Sequence, residues 1–178
     1  MKWHMRGTLG ALLAVVAMLV TAASAPGAAR TSGSERFDGG LVASNASGKR
    51  TVAGSVIAMS DVFTGVGRIV ERPNRPGDSA KVSRDDLVFA TGTLHIVNKD
   101  RRHPSLAVNR RTCTAMFKVP KTTTVDGGTG RFAGATGTFV GAVSGSGVAR
   151  RKADGSCDQQ HAAVVEIDTV TGTGTLTF

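Results

Sequence analysis

One glycine-rich segment reads Gly127-Gly128-Thr129-Gly130-Arg131-Phe132-Ala133-Gly134-Ala135-Thr136-Gly137, and the alternating run Thr138-Phe139-Val140-Gly141 follows it. A Gly-Gly pair lets the backbone reach positive φ without a side-chain penalty, which is typical of a β-hairpin turn. The strand that follows is built from small residues, which suits a tightly curved sheet. The segment therefore predicts a hairpin in a curved sheet, with a structural turn formed by Gly127, Gly128, Gly130 and Phe132.

The rest of the chain beyond residue 30 has a period of two almost throughout, and no part of it has a sustained 3.6-residue apolar pattern. Many β-branched residues, 23 glycines and short turns indicate an all-β barrel or sandwich. We predict an eight-stranded antiparallel barrel, because closure removes exposed sheet edges and leaves room for side chains or one small ligand. The predicted strands cover residues 51–60, 64–72, 87–98, 106–119, 122–125, 132–148, 160–169 and 172–178.

The amino terminus has the pattern of a secretory signal. Lys2 and Arg6 precede an apolar run from Leu9 to Val20, which is too short to span a bilayer, and small residues follow it. A retained anchor is the alternative. We expect a signal peptide over 1–30, a flexible leader over 31–36 and one β-barrel domain over 37–178. The protein is then secreted, with no membrane span left after signal removal.

The charge of the expected mature chain argues against nucleic acid as a partner. Three of the 22 basic residues precede residue 31, which leaves 19 basic and 13 acidic residues, a net charge of +6. The basic residues are scattered, and residues 31–178 contain neither Trp nor Tyr to stack on bases. We expect solvated loops on a basic protein, with an anionic polymer or lipid headgroups as the alternative partner.

Cys113 and Cys157 are the only two cysteines. Export would place them in an oxidising compartment, where an even pair usually forms a bridge, so we predict a structural disulfide rather than free thiols. Neither cysteine lies in a cluster of Cys and His residues with the spacing of a zinc site. No metal and no cofactor is predicted.

The turn Gly127–Phe132, the following Ala135-Thr136-Gly137 and the closing strand Gly172-Thr173-Gly174-Thr175-Leu176 together resemble the allene oxide cyclase-like and dirigent-like barrel family. The resemblance implies an eight-stranded, calycin-like antiparallel barrel with an apolar cavity, often assembled as homodimers or homotrimers. Plant members cyclise an unstable fatty-acid epoxide or direct radical coupling by holding a reactive substrate in one shape. The matched residues form a turn and a packing motif, so the resemblance implies a fold and leaves open whether this chain is an enzyme.

Three candidate catalytic residues, Glu71, His161 and His95, alternate with apolar residues on predicted strands. If those faces point into the barrel, a carboxylate and an imidazole meet in a low-dielectric cavity suited to general acid–base work. The alternative places each of them near a strand end or a barrel mouth, where it is solvated. Alternation alone does not say which face is inside.

Glu166 and Asp168 share one strand face, two residues apart. Two such carboxylates can form an acid–base pair or contribute to a metal site. The favoured interpretation is an outward, solvated face opposite Arg or Lys.

Three functions remain open. The first is a secreted barrel that binds a small hydrophobic molecule, and the second is a cyclase or isomerase that confines its substrate. The third is a non-catalytic surface-interaction protein whose barrel is filled with side chains. A convergent pair such as Glu71 with His161 or His95 would favour the enzyme, and the absence of a cavity would favour the filled barrel.

Overall fold

The computed structural model describes residues 30–46 and 48–178 and consists there of β-strands without helices. The predicted signal segment lies outside these residues, except for Arg30. The nine strands are β1 (Ser32–Ser44), β2 (Thr51–Met59), β3 (Thr64–Arg72), β4 (Val82–Phe89), β5 (Gly92–Asp100), β6 (Ser105–Asn109), β7 (Thr114–Gly130), β8 (Thr136–Val148) and β9 (Val165–Thr177).

The strands form one antiparallel sheet that closes on itself. Their order is β5-β4-β3-β2-β1-β9-β8-β7-β6, and an additional pairing of β5 with β7 closes the cylinder. Eight strands therefore make the barrel wall, and β6 is an extra edge strand. The prediction of an eight-stranded antiparallel barrel is confirmed.

β6 extends the wall at one end of the barrel. Residues 121–130 of β7 pair with β5, whereas residues 114–118 of β7 pair with β6. The single strand predicted over 106–119 is therefore wrong, because the chain reverses at 110–113. There Cys113 adopts a φ of 57°, a left-handed conformation that ends a strand.

The glycine-rich segment turns later than the sequence indicated. β7 continues through Gly127 and Gly128, and the reversal occurs over residues 131–135, where the amides of Phe132 and Ala135 donate to the carbonyls of Thr129 and Phe132. Gly127 has a φ of 91° and lies opposite the point between Leu94 and Ile96 where the register of the β5–β7 pairing shifts. Gly127 therefore lies in a bulge within the barrel wall, and Gly128 pairs with Leu94, so the two glycines do not form a hairpin turn.

Two other strand predictions also differ from the structure. The strand predicted over 87–98 is a hairpin, because β4 ends at Phe89 and β5 begins at Gly92. A Cβ at Gly92 would collide with the carbonyl oxygen of Thr129, so only glycine fits this close crossing. The two closing strands predicted at 160–169 and 172–178 are one strand, β9.

The segment 31–36, expected to be a flexible leader, is ordered by pairing and burial. Residues 32–36 belong to β1 and pair with residues 173–177 of β9. Glu35 is only 2% exposed, and its carboxylate accepts hydrogen bonds from the amide of Met59 (3.1 Å) and the hydroxyl of Ser60 (2.7 Å). The sequence pattern failed here because small and polar residues carry little periodicity.

The core fills the end of the barrel where the start of β1, the end of β9 and the β2–β3, β4–β5 and β7–β8 turns lie. Phe132 is fully buried, and its ring centroid lies 5.0 Å from that of Phe63 and 5.1 Å from that of Phe178. The turn at 131–135 thus closes this end with an aromatic cluster. The buried core comprises Phe37, Val56, Ala58, Phe63, Ile69, Leu87, Phe89, Leu94, Val125, Phe132, Ala135, Phe139 and Leu176.

A disulfide fastens the opposite end. Cys113, after β6, is bonded to Cys157 in the 149–164 loop, with 5.3 Å between their Cα atoms. The predicted disulfide is confirmed, and it ties the β6–β7 turn to the longest loop. Within residues 30–46 and 48–178, no helix has the length and apolar character needed to cross a membrane.

Candidate functional site

The barrel encloses a cavity of about 580 Å³ between the aromatic cluster and the disulfide-bonded end. Inward-facing side chains from most of the wall strands make its surface predominantly apolar. These are Phe37, Leu41, Val56, Ile69, Leu87, Ile96, Phe117, Val119, Phe139, Val143 and Val170. A barrel filled by its own side chains, the third sequence-based alternative, does not describe this interior.

Charged side chains line the same cavity toward the mouth. Four are carboxylates and four are cations: Glu71, Asp85, Glu166 and Asp168, with Arg50, Arg72, Arg84 and Lys121. The cavity therefore has an apolar floor and a charged upper part, an arrangement that orients an amphipathic ligand.

Asp168 is the most buried of these carboxylates, with 8% of its surface exposed. It lies on β9 between Leu41 of β1 and Gly145 of β8, and a Cβ at Gly145 would collide with its Oδ1. Oδ1 has no hydrogen-bond partner among the described residues. Glycine at 145 therefore provides the space in which this carboxyl group lies.

The surroundings of Asp168 favour its protonated form. Burial, the charge of Glu166 and the hydrogen bond to Glu166 raise the pKa of Asp168 to about 7, against the opposing charge of Arg50. Asp168 thus holds its proton up to near neutral pH, beside the carboxyl group of Glu166 on the same strand. The favoured expectation of an outward, solvated pair was wrong, because this face of β9 points into the barrel.

Asp85 of β4 is a second carboxyl group with a raised pKa. Burial and the charge of Glu71 bring its pKa to about 6, although Lys121 and a hydrogen bond from Asn98 act in the opposite direction. The Nδ2 of Asn98 donates to Oδ2 of Asp85 over 2.7 Å. The cavity thus holds two carboxyl groups that titrate close to neutral pH.

Glu71, the first predicted catalytic residue, does line the cavity on the same face as Ile69, as expected. Its side chain is 43% exposed at the mouth, and its Oε1 lies 2.9 Å from Nη2 of Arg50. The low-dielectric setting proposed for it is therefore absent, and its nearest partner is an arginine rather than a histidine.

His95 does not face the cavity. The hairpin between β4 and β5 pairs Leu87 with Leu94, so His95 lies on the outer face of the wall. There its Nδ1 lies 2.7 Å from Oδ1 of Asp86. Asp86 is also paired with Arg72 over 3.1 Å. His95 thus belongs to an outer ion-pair network, and its predicted shared face with Leu87 and Phe89 was wrong.

His161 lies in the 149–164 loop, before β9 begins. Its side chain is 79% exposed and its Nδ1 contacts Asp158 over 2.7 Å. The strand face on which His161 was predicted points to solvent, because Ile167 on that face is 58% exposed. The structure does not bring Glu71, His161 and His95 together.

Four polar residues of the lining could not be identified from the sequence: Arg50, Asp85, Asn98 and Lys121. Glu166 and Asp168 were expected on the outer face of their strand, and they lie on the inner one. A signal was available in β9, because counting back in twos from the buried Leu176 leads to Asp168. The apolar residues Val165 and Ile167 obscured that signal.

No group of three His, Cys, Asp or Glu side chains in the described part of the chain is arranged to hold a metal ion. Comparison with known proteins gives no further assignment, since no family model, curated protein or solved structure matches this chain.

Proposed function

We propose that this is a secreted barrel protein that binds a small, predominantly hydrophobic molecule in its interior. The observation that carries the proposal is the cavity of about 580 Å³ with an apolar floor. Small-molecule sites in proteins typically measure about 300–1,000 Å³ and combine apolar walls with a few polar groups. The disulfide is compatible with export to an oxidising compartment.

Filling the cavity should abolish binding. Gly172 lines it, and a Cβ there would meet only Phe139 Cβ, at an ordinary 3.8 Å, so Gly172→Leu places an isobutyl group in the ligand space without a backbone collision. We expect affinity for the neutral apolar dye Nile red to fall about tenfold or more, the equivalent of about 1.4 kcal/mol. Dye fluorescence measures binding directly.

Gly40→Leu is the matched control. Gly40 lies on the outer side of β1, next to the inward-facing Leu41, and its Cβ would meet the carbonyl oxygen of Asp168 at 3.5 Å. This variant should bind the dye as the unaltered protein does. The proposal would be contradicted if Gly172→Leu still bound the dye saturably and Gly40→Leu did not. That result would mean that the dye binds on the outer surface of the barrel.

A second candidate, the cyclase or isomerase that confines its substrate, is favoured by one specific observation. Asp168 holds a proton near neutral pH inside the cavity, as a general acid must. We expect the protein to change the product ratio or stereochemistry when an unstable fatty-acid epoxide cyclises, and Asp168→Asn to remove that effect. Identical products with and without the protein, at saturating concentration, would leave binding as its function.

A further inference from the structure

Every cation that lines the cavity already has a carboxylate partner. Nη2 of Arg50 lies 2.9 Å from Glu71, and Nη1 of Arg72 lies 3.1 Å from Asp86. Two more pairs, Arg84–Asp78 and Lys121–Asp100, have N–O distances of 2.7 Å. Three of these four carboxylates, those of Asp86, Asp78 and Asp100, lie outside the cavity lining. The positive charge at the cavity is therefore neutralised mostly from outside it.

The acidic side chains of the lining are not balanced in the same way. Asp85, Glu166 and Asp168 form no salt bridge with any side chain in residues 30–46 and 48–178. Asp85 accepts a hydrogen bond only from the neutral amide of Asn98. The lining thus holds three carboxyl groups that have no salt bridge in the described residues, whereas all four of its cations are paired.

Asp168 is the most buried of these three carboxyl groups. It is more than nine-tenths buried, faces the cavity from β9, and has an oxygen without a hydrogen-bond partner among the described residues. That oxygen, Oδ1, lies against Gly145, so a ligand in the cavity would meet the other oxygen of the carboxyl group. A hydrogen bond donated to that second oxygen would stabilise the ionised form of a carboxyl group that has no salt bridge in the described residues.

We propose that the cavity takes an amphipathic organic cation, a molecule with an apolar body and a protonated amine, whose ammonium group lies against Asp168 and Glu166 while its tail packs on the apolar floor. This inference rests on the proposed function, because it names the class of ligand for the same cavity. An ammonium group supplies the positive partner charge that the two carboxyl groups lack. It also donates hydrogen bonds, which the carboxyl oxygens accept.

The charged groups that face Asp168 fix the expected dependence on pH. Glu166 and Glu71 add negative charge, and Arg50 is the cation that opposes them. Burial is the largest cause that raises the pKa of Asp168 to about 7, the two glutamates add to it, and Arg50 opposes it. A bound amine should therefore be favoured at pH 8, where Asp168 is ionised, and lose much of that advantage at pH 5.

Three ligands of equal tail length test the inference: 1-octylamine, 1-octanol and octanoate, each used to displace Nile red from the oxidised protein at pH 8. We expect octylamine to bind about tenfold more tightly than octanol, because a hydrogen bond to a charged group contributes more than a neutral one. Octanoate should bind least tightly. At pH 5 the advantage of octylamine over octanol should fall below about threefold.

The variant Asp168→Asn should reduce the affinity for octylamine to that for octanol and leave the octanol affinity unchanged. The exposed carboxylate of Asp61, in the turn after β2, provides the control Asp61→Asn, which should behave as the unaltered protein. Glu166→Gln gives a second test of the carboxyl pair, with a smaller loss of amine preference.

The outcomes separate the two proposals. Equal displacement by octylamine and octanol, or tighter binding of octanoate, would overturn the cationic-ligand inference while leaving a hydrophobic binding protein. An amine preference that persists in both Asp168→Asn and Glu166→Gln would also overturn it. If none of the three ligands displaces the dye, and the dye does not bind saturably, both proposals fail.

Discussion

Replacing Phe132 by alanine should lower the free energy of unfolding by about 4 kcal/mol. Phe132 is fully buried at the closed end of the barrel, and its ring contacts those of Phe63, Phe89 and Phe178 at centroid distances of 5.0, 5.7 and 5.1 Å. Truncation removes the apolar area of the ring and its aromatic contacts, and leaves a void that rigid strands cannot close. Urea denaturation at neutral pH measures the loss.

Two control variants separate the effect of the buried volume of Phe132 from that of its aromatic ring. Phe132→Leu retains most of the buried volume and should cost about 1–1.5 kcal/mol. Phe117→Ala is the same truncation as Phe132→Ala, but at a half-buried ring that lines the cavity, and should cost about 1–2 kcal/mol. If Phe132→Ala cost no more than Phe117→Ala, the aromatic cluster would not be the principal source of stability at the closed end.

The barrel could be predicted from the sequence because its signals repeat along the chain. The period of two and the strand-length segments recur from Thr51 onward, and closure follows from the need to cover sheet edges. The disulfide followed from the even cysteine count together with the expected export to an oxidising compartment. These are properties of whole segments, so errors of a few residues did not change them.

Strand boundaries and inward faces could not be predicted, because they depend on contacts between distant residues. The chain reverses between Phe89 and Gly92, and this reversal sends His95 outward. It requires the close approach of Gly92 to Thr129 on another strand. A shift of one residue in register exchanges the two faces of a strand. His95 was for that reason assigned to the interior.

The candidate site was missed for a related reason. Asp168 and Glu166 are charged, and charged residues in a strand are usually solvated. Their burial becomes evident only when Gly145 of β8 and Leu41 of β1 are placed beside Asp168. Glycine at 145 is informative only in that context, because it leaves room for the carboxyl group of another strand.

The substitution Asp168→Asn should stabilise the protein at pH 8 by about 2 kcal/mol and leave its stability at pH 4 unchanged. The pKa of Asp168 is about 7 in the folded protein and has an ordinary value of 3.8 in the unfolded chain. Between these values the folded state holds a proton that the unfolded state has lost. The free energy of unfolding therefore decreases as pH rises from about 4 to about 7, and the decrease is complete above that range.

The size of the effect follows from the same two pKa values. The full difference between the two pKa values corresponds to about 4 kcal/mol of unfolding free energy. Because solvent at the cavity mouth and the charge of Arg50 screen the carboxylate, we expect about half of that energy. Asparagine has nearly the shape of the protonated acid and can donate its amide hydrogen to Glu166, as that acid does, without ionising. It thus keeps the neutral contact at every pH.

Urea denaturation of both proteins at pH 4, 5, 6, 7 and 8 measures the divergence. Asp85, with a pKa of about 6, titrates in the same range, but its contribution is common to both proteins and cancels in their difference. The exposed Asp61→Asn substitution controls for the loss of one negative charge. Parallel curves for Asp168→Asn and the unaltered protein would mean that Asp168 is ionised throughout this range. The loss of amine preference expected between pH 8 and pH 5 would then have no titration of Asp168 to cause it.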